Sequence, residues 1–511
     1  MAELRQDLAQ SAREVRETHI SWVFLHADTV FKVKKPVDFG FLDFSELDQR
    51  RLACETETRL NGRLAPGVYL GVVPVTRNAE GVHELAGSGP VVDWAVKMRR
   101  LDDKDRADVR LAEGRLSREH LERLAQVLAR FHREAPSTAE MAEFGRVDCI
   151  RRNVQENFAQ THQLLSDLVS EAQQREVEAA QLGFLEQRRE LFEQRIRSGR
   201  IRDGHGDLRL EHVYIDGAGE PTIIDCIEFN ERFRFGDVCA DVAFLSMDLA
   251  FQGRVDLKER FLASYAEESE DHDLYALVDF YESYRAYVRA KIGALSLRSA
   301  PVHARRQLEA QIRRHFLLAL ASERKPDSPP RVFALAGLIA SGKSTLARAV
   351  AGELAAPRIS SDRTRKALRG VSATTPLADG AFAANYSEAA SAAVYREVLR
   401  RAAVVLESGR SVVLDASFRS SAARTAARDL ARRMHAPFLL IECQAPLEVC
   451  RARLAERARG PSESDGRSQI FEQFVAQYEP IRGLPPGEHV VVDTGGSLEN
   501  ALASLRSRGI L

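Results

Sequence analysis

The stretch "GLIASGKST", Gly337 to Thr345, constrains this chain more than any other. It reads G-x-x-x-x-G-K-[ST]. A short apolar run, "VFALA", precedes it, and an amphipathic run, "LARAVAGEL", begins at its end. A loop of this kind between a buried strand and a helix turns its backbone N–H groups inward. The helix N-terminus adds a positive end, and together they form a phosphate cradle. Gly337 and Gly342 permit the tight turn, and Ala340, Ser341 and Thr345 belong to the same cradle. Lys343 supplies charge for the β- and γ-phosphates of ATP, and Ser344 supplies an oxygen for magnesium. A chance match would have to fall by accident exactly where a strand gives way to a helix.

The residues after this loop alternate between strand and helix. "RISSD", "SVVLDASF", "FLLIECQA" and "HVVVDTG" are apolar strands separated by amphipathic helices. That order predicts a parallel sheet covered on both faces, an α/β P-loop domain. Asp415 ends "VVLD" and suits a magnesium-holding carboxylate. Asp362 and Arg365 in "ISSDRTRKAL" lie three apart and so face one way at a helix start; the bland alternative for Asp362 is a helix N-cap. "CRARLAERARG" sets Arg453 and Arg457 one turn apart on one helix face, leading into "GPSESDG". This looks like the lid of a small-molecule kinase, whose arginines close on the transferring phosphate. A solvated basic face is the alternative.

Upstream, "ASERKPDSPPRVF" is charged, then rich in proline, and marks a boundary. The sequence therefore divides into residues 1–325, a linker at 326–331, and residues 332–511. In the first part "SWVFLHAD" and "TVFKVKKPV" read as a β-hairpin. A helix follows over "LDFSELDQRRLACETETRLNGRL", and "VVDWAVKMRRL" is strand-like. From Ser117 the chain becomes helical, with Leu121, Leu124, Leu128 and Phe131 as a core-facing stripe. "HVYID" and "PTIIDCIEF" form a second hairpin, and residues 256–322 read as helices again. A small sheet lobe followed by a large helical lobe is the order of an α+β bilobal kinase-like domain.

Between the helices lies "GHGDLRLEHVYI". It nearly spells a phosphotransferase catalytic loop, His-x-Asp followed by Asn, in which the Asp takes the acceptor proton and the Asn holds magnesium. His205 and Asp207 fit. His212 stands where the Asn would be. Imidazole can ligate a divalent ion, but magnesium prefers hard oxygen, so the change would weaken that position or favour manganese. Asp225 ends the returning strand, where a second metal ligand belongs.

These stretches, with "VFKVKKPVDFGFLDF" and "FGDVCADVAFL", resemble the aminoglycoside-phosphotransferase-like family. More closely, the whole chain resembles bacterial two-part proteins that fuse such a domain to a P-loop kinase. The second half is similar to the P-loop kinase group that includes polynucleotide kinase, zeta-toxin-like kinases and gluconate kinase. The resemblance implies that Asp362 activates the acceptor hydroxyl and Arg365 orients the substrate. It implies that Lys32 contacts the ATP phosphates and pairs with Glu57. Strand alternation puts Lys34 on the same face as Lys32, and Glu55 precedes Glu57 by one helix half-turn, so both alternatives stay open. A solvated edge strand is the bland reading of these lysines. Asp237 and Asp241 are expected to brace the catalytic loop. Arg285 and Arg289 fall on the helix where the family builds its acceptor pocket, and they point to an anionic acceptor.

Composition narrows the partners. There are 73 basic and 74 acidic residues, a net charge of -1. That balance and the lack of interleaved aromatic and basic residues count against nucleic acid. No pair of the six cysteines has C-x-x-C spacing. The N-terminal "MAELRQDLAQSAREVRETHI" is polar, and no apolar run approaches a membrane span. The expectation is a cytoplasmic, bifunctional, ATP- and magnesium-dependent kinase acting on a hydroxyl of a small molecule. The competing expectation is a regulatory protein whose first half is a pseudokinase or nucleotide sensor.

Overall fold

The computed structural model describes residues 2–38, 40, 42–298, 300–321, 329–377, 386–457, 459, 463, 464, 466 and 468–511. Residues 326–328 of the expected linker, and 460–462 and 465 of the expected lid loop, lie outside the described residues. The chain forms two compact units. One comprises residues 1–253 and 280–322; the other comprises 254–279 and 323–511.

The first unit opens with a six-stranded sheet in the order β1-β2-β3-β6-β4-β5. Its strands are β1 (Glu14–Glu17), β2 (Ser21–Leu25), β3 (Thr29–Lys34), β4 (Tyr69–Arg77), β5 (His83–Leu85) and β6 (Val91–Arg99). All neighbours run antiparallel. The expected hairpin is β2–β3, with Ser21 opposite Lys34. Because β3 lies between β2 and β6, its lysines are not on an edge strand. The Leu47–Asn61 helix buries Glu57 and packs against β6 and β4. Further on, the Arg118–Glu134 helix buries Leu121, Leu124, Leu128 and Phe131, the stripe that the spacing predicts. Two small ribbons then frame the catalytic stretch. β7 (Ile201–Asp203) pairs with β10 (Phe235–Asp237), and β8 (Val213–Ile215) pairs with β9 (Pro221–Ile223).

The second unit holds a five-stranded parallel sheet in the order β12-β13-β11-β14-β15. Its strands are β11 (Val332–Ala336), β12 (Arg358–Ser360), β13 (Val412–Asp415), β14 (Phe438–Gln444) and β15 (His489–Asp493). Phe333, Leu335, Val413, Ile441 and Val492 form its core with Leu346 and Val350 of the Lys343–Leu354 helix and Leu502 and Leu505 near the C-terminus.

Residues 254–279 are the unexpected members of this unit. The contiguous boundary drawn from the sequence assigns them to the first part. The Val255–Ser269 helix buries Leu257, Phe261, Leu262 and Tyr265, and its acidic residues meet arginines of the second unit. Arg410 pairs with Glu259 at 2.7 Å and Asp279 at 2.9 Å, and Arg401 pairs with Glu270 at 2.7 Å. Burying these guanidiniums needs carboxylates, because an unpaired buried charge costs several kcal/mol.

Candidate active site

In the second unit the phosphate loop has the expected geometry. Gly342 caps the Lys343–Leu354 helix at φ 92°, a left-handed conformation that favours glycine. At Gly337 φ is 144°, and an added Cβ would lie 2.5 Å from the Cys443 carbonyl oxygen. Ala340 carries the one strained non-glycine φ of the loop, 61°. Ser344 Oγ donates to Asp415 Oδ1 at 3.1 Å. Lys343 Nζ folds onto the loop's own Leu338 carbonyl at 2.8 Å. Burial lowers its pKa, and nearby Asp415 opposes that shift. The Ser341 hydroxyl is buried and has no hydrogen-bond partner among the described residues.

A cavity of about 910 Å³ opens in front of this loop. Lys343, Ser344, Asp362, Arg365, Asp415 and Arg457 all line it. Asp362 is not the helix N-cap. Ser360 takes that role for the Ser361–Leu368 helix by accepting from the Arg363 N–H, which leaves the Asp362 carboxylate facing the cavity. Burial raises the Asp362 pKa, against a hydrogen bond from Ser464 and the charge of Arg365. The Arg365 guanidinium stacks 4.5 Å from the centre of the Tyr386 ring. Arg453 donates to Thr494 O at 2.8 Å and lines a second cavity of about 340 Å³ with Gly342, Thr345 and Arg457. Both arginines of the expected lid face therefore reach the loop, while Arg451 is exposed and pairs with Glu472. The oxygen donors Ser344, at the start of the Lys343–Leu354 helix, and Asp415, at the end of β13, meet at 3.1 Å and fit magnesium's preference for hard ligands.

In the first unit Lys32 Nζ lies 2.9 Å from Glu57 Oε1 and 2.7 Å from Asp225 Oδ1. Lys34, fully buried, holds the other Glu57 oxygen at 2.5 Å and also pairs with Glu228. Both lysines thus share Glu57, but only Lys32 reaches Asp225. Glu55 points away to Arg51. Asp225 has φ 65°, unusual for an aspartate, and its N–H donates to the Tyr69 hydroxyl. Burial would raise its pKa, but Lys32 and His212 hold it well below the carboxylate range.

His205 is a brace. Its Nε2 lies 2.9 Å from Ile224 O, its Nδ1 accepts from the Asp207 N–H, and burial pushes it down to about 4, so it is neutral. Asp241 accepts from the N–H groups of His205 at 2.6 Å and Gly206 at 2.8 Å, as expected of a loop brace. Asp237 instead forks with Arg195 and caps the following helix through the Cys239 N–H.

Asp207 itself is clasped by its neighbour. Arg209 contacts both of its oxygens at 3.1 Å. Burial tends to raise the Asp207 pKa, but Arg209 and His212 more than offset it and hold it below the usual range. His212 Nδ1 is 2.8 Å from Asp207 O, and a carbonyl only accepts, so Nδ1 carries the proton in the neutral ring. The Nε2 lone pair is then aimed at Arg209, 3.2 Å away, and at Asp225, 3.6 Å away. Among the described residues no group of three or more His, Cys, Asp and Glu side chains is arranged to hold a metal ion. Two protein donors, His212 and Asp225, suit an ion that takes its remaining ligands from phosphate and water. Arg285 stacks 4.7 Å from the Phe244 ring and donates to Ala240 O, a packing role, whereas Arg289 belongs to the charged surroundings of Asp207.

Sequence reasoning missed Arg209, Glu228 and Arg358. Arg209 stands in the quoted loop and Arg358 opens an otherwise buried strand, but the spacing of neither residue reveals its partner.

A family model described as the phosphotransferase enzyme family matches residues 9–281, and one described as an AAA domain matches residues 332–481. The chain belongs to the phosphotransferase enzyme family, with a P-loop kinase domain following the kinase-like one. Uncharacterized proteins of Mycobacterium tuberculosis and Mycobacterium bovis are 37% identical over 464 residues, spanning 91% of this chain and 90% of theirs. Among solved structures, a putative kinase from Chloroflexus aurantiacus is 24% identical, with TM-score 0.29, over 36% of this chain and 97% of its own. A choline/ethanolamine kinase family protein from Mesorhizobium loti is 13% identical, with TM-score 0.35, over 62% and 97%. No described helix is long and apolar enough to cross a membrane.

Proposed function

We propose that the chain is an ATP-dependent phosphotransferase with two nucleotide sites, each passing the γ-phosphate to a hydroxyl of a small molecule in the cytoplasm. The observation that carries this reading is the shared cavity of Lys343, Ser344, Asp362, Arg365, Asp415 and Arg457. Magnesium, held through Ser344 and Asp415, would neutralise phosphate charge there. Lys343 swings from the Leu338 carbonyl onto the β- and γ-phosphates. Asp362 takes the acceptor proton, a role its raised pKa supports. Arg365 orients the acceptor, and Arg453 and Arg457 stabilise the charge on the transferring group.

In the first unit Lys32, anchored by Glu57, positions phosphates, His212 and Asp225 hold the divalent ion, and Asp207 is the base. One observation favours a second reading for this half. The Arg209 fork on Asp207 keeps the base engaged, as a nucleotide-sensing pseudokinase would tolerate. The test is a metabolite-extract screen for transfer of radiolabelled phosphate from ATP, run with the parent chain, Lys343→Ala and Asp207→Asn. Labelled products lost separately in the two variants support two active sites. A product set untouched by Asp207→Asn supports the sensor reading, and one untouched by Lys343→Ala overturns the P-loop assignment.

A further inference from the structure

Asp415 is held from behind. Its Oδ1 accepts from Ser344, while its Oδ2 receives Arg358 Nη1 at 2.8 Å. The Arg358 side chain is 1% exposed and Asp415 3%. Arg358 opens β12, whose Ser360 pairs in register with Asp415 of β13, so the two strands deliver both side chains to one place. The rest of the guanidinium is engaged too. Arg358 Nε donates to Glu267 Oε2 at 3.2 Å, Nη2 also pairs with Glu267, and Nη2 meets Glu463 Oε2 at 3.1 Å. Glu267 lies on the Val255–Ser269 helix.

The result is a chain of contacts from that helix to the phosphate loop: Glu267, Arg358, Asp415, Ser344. The two inner members, Arg358 and Asp415, each have a partner on both sides. A free carboxylate at the end of a strand could rotate; this one is restrained, with Oδ1 accepting from Ser344 and Oδ2 from a buried guanidinium anchored on Glu267 and Glu463. Arg358 also sets a positive charge against Oδ2, leaving Oδ1 to Ser344. Outer partners of this kind orient metal-binding oxygens and tune their affinity.

We propose that Arg358, anchored by Glu267, is the positioning residue of the magnesium-binding carboxylate Asp415, and that the Val255–Ser269 helix is therefore a working part of the P-loop site. The proposal rests on the reading of Ser344 and Asp415 as the magnesium-holding pair. It assigns a role to a helix that neither the phosphate-loop motif nor the matched AAA-domain region includes, since that region begins at residue 332.

The experiment uses the full chain. Binding of a fluorescent ATP analogue is titrated with magnesium, and the share of signal lost in Lys343→Ala is assigned to the P-loop site. Parent, Arg358→Gln, Arg358→Lys, Glu267→Gln and Asp415→Asn are compared, each also with EDTA to read metal-free nucleotide affinity. Arg358→Gln should raise the magnesium concentration for half-saturation about tenfold, within the range usual for outer-shell partners. Arg358→Lys, which keeps the charge but cannot reach Asp415 and Glu267 with separate planar donors, should recover part of that shift. Metal-free affinity should not move. Glu267→Gln removes the anchor while Arg358 keeps Asp415, so it should fold even if Arg358→Gln does not, and should shift half-saturation in the same direction by a smaller factor than Arg358→Gln. An unshifted Glu267→Gln, or Arg358→Gln with loss of metal-free affinity in proportion, overturns the proposal. If Asp415→Asn leaves magnesium dependence intact, the underlying site reading has failed instead.

Discussion

The two central aspartates meet opposite surroundings. Asp207 is forked by Arg209 and lies beside His212, so its charge is neutralised locally and its pKa sits below the usual range. Asp362 shares a large cavity with Arg365 and Lys343, yet desolvation dominates and its pKa is raised. One site is electrostatically satisfied before any substrate arrives. The other is held short of satisfaction, which is what the proposed role of Asp362 as a base requires. The contrast teaches that a motif's residue types do not decide readiness; the partner of the carboxylate does.

The comparison breaks most severely if the second unit loses its borrowed segment. A fragment from residue 328 to 511 follows the boundary read from the sequence but leaves residues 254–279 behind. Arg358, Arg363, Arg401 and Arg410 would lose carboxylate partners. Arg410 would lose both of its carboxylates, which costs about 3–5 kcal/mol. Arg358, Arg363 and Arg401 would each keep one partner but lose another. Together with the loss of the buried face of the Val255–Ser269 helix, this approaches a typical stability of about 5–15 kcal/mol. The fragment should show no cooperative thermal transition by circular dichroism, whereas one with 254–279 fused ahead of it should. A cooperative melt of the short fragment near the parent temperature would refute this account.

The next largest effect is on Lys343. Lys343→Ala removes charge meant for the β- and γ-phosphates and should lower P-loop transfer at least a hundredfold or so, measured as labelled product under saturating ATP. Asp362→Asn should match that loss while leaving ATP-analogue affinity within about twofold, because the base acts on the acceptor. Equal loss of binding would assign Asp362 to the metal or the fold.

A pH comparison sharpens the contrast directly. Each base works deprotonated. A raised pKa moves the acid limb of activity up in pH, and a lowered one moves it down. The P-loop activity, read in Asp207→Asn, should therefore fall at a higher pH than the first-unit activity, read in Lys343→Ala. Coincident limbs, or the reverse order, would contradict the assignment of the two bases. The smallest expected effect is a change of metal preference. His212→Asn replaces a nitrogen donor by an oxygen and should shift ATP-analogue binding by the first unit a few-fold from manganese toward magnesium. An unchanged ratio of the two metal affinities removes His212 from the ligand set.

Much of this was legible locally. The strand, loop and helix around Gly337–Thr345 declare themselves because their signals are contiguous, and Asp415 follows from its place at a strand end. The choice between Lys32 and Lys34 could not be read from alternation, which puts both on one face; the fold uses both, and only the reach to Asp225 separates them. Arg358 was illegible for a different reason. Its partner Glu267 lies 91 residues upstream, in a stretch whose helical pattern suits either unit. Charge complementarity over such distances leaves no local period to detect. The Arg209 clasp is also invisible in spacing, since residues two apart meet only when the loop turns in a particular way.

The divided chain order of the second unit has a consequence for how the protein is made. Its first members, residues 254–279, leave the ribosome well before Arg401 and Arg410 exist. At ordinary bacterial synthesis speed the wait is on the order of ten seconds. During that interval the acidic face of the Val255–Ser269 helix has no basic counterpart from its own unit, and the nascent P-loop sheet cannot bury Arg358 fully until it returns to this helix. Completion of the second unit is thus tied to a segment synthesised earlier, and a chain stalled or truncated shortly after residue 360 would leave Glu259 and Asp279 without Arg410 and present them to the cell's quality-control machinery.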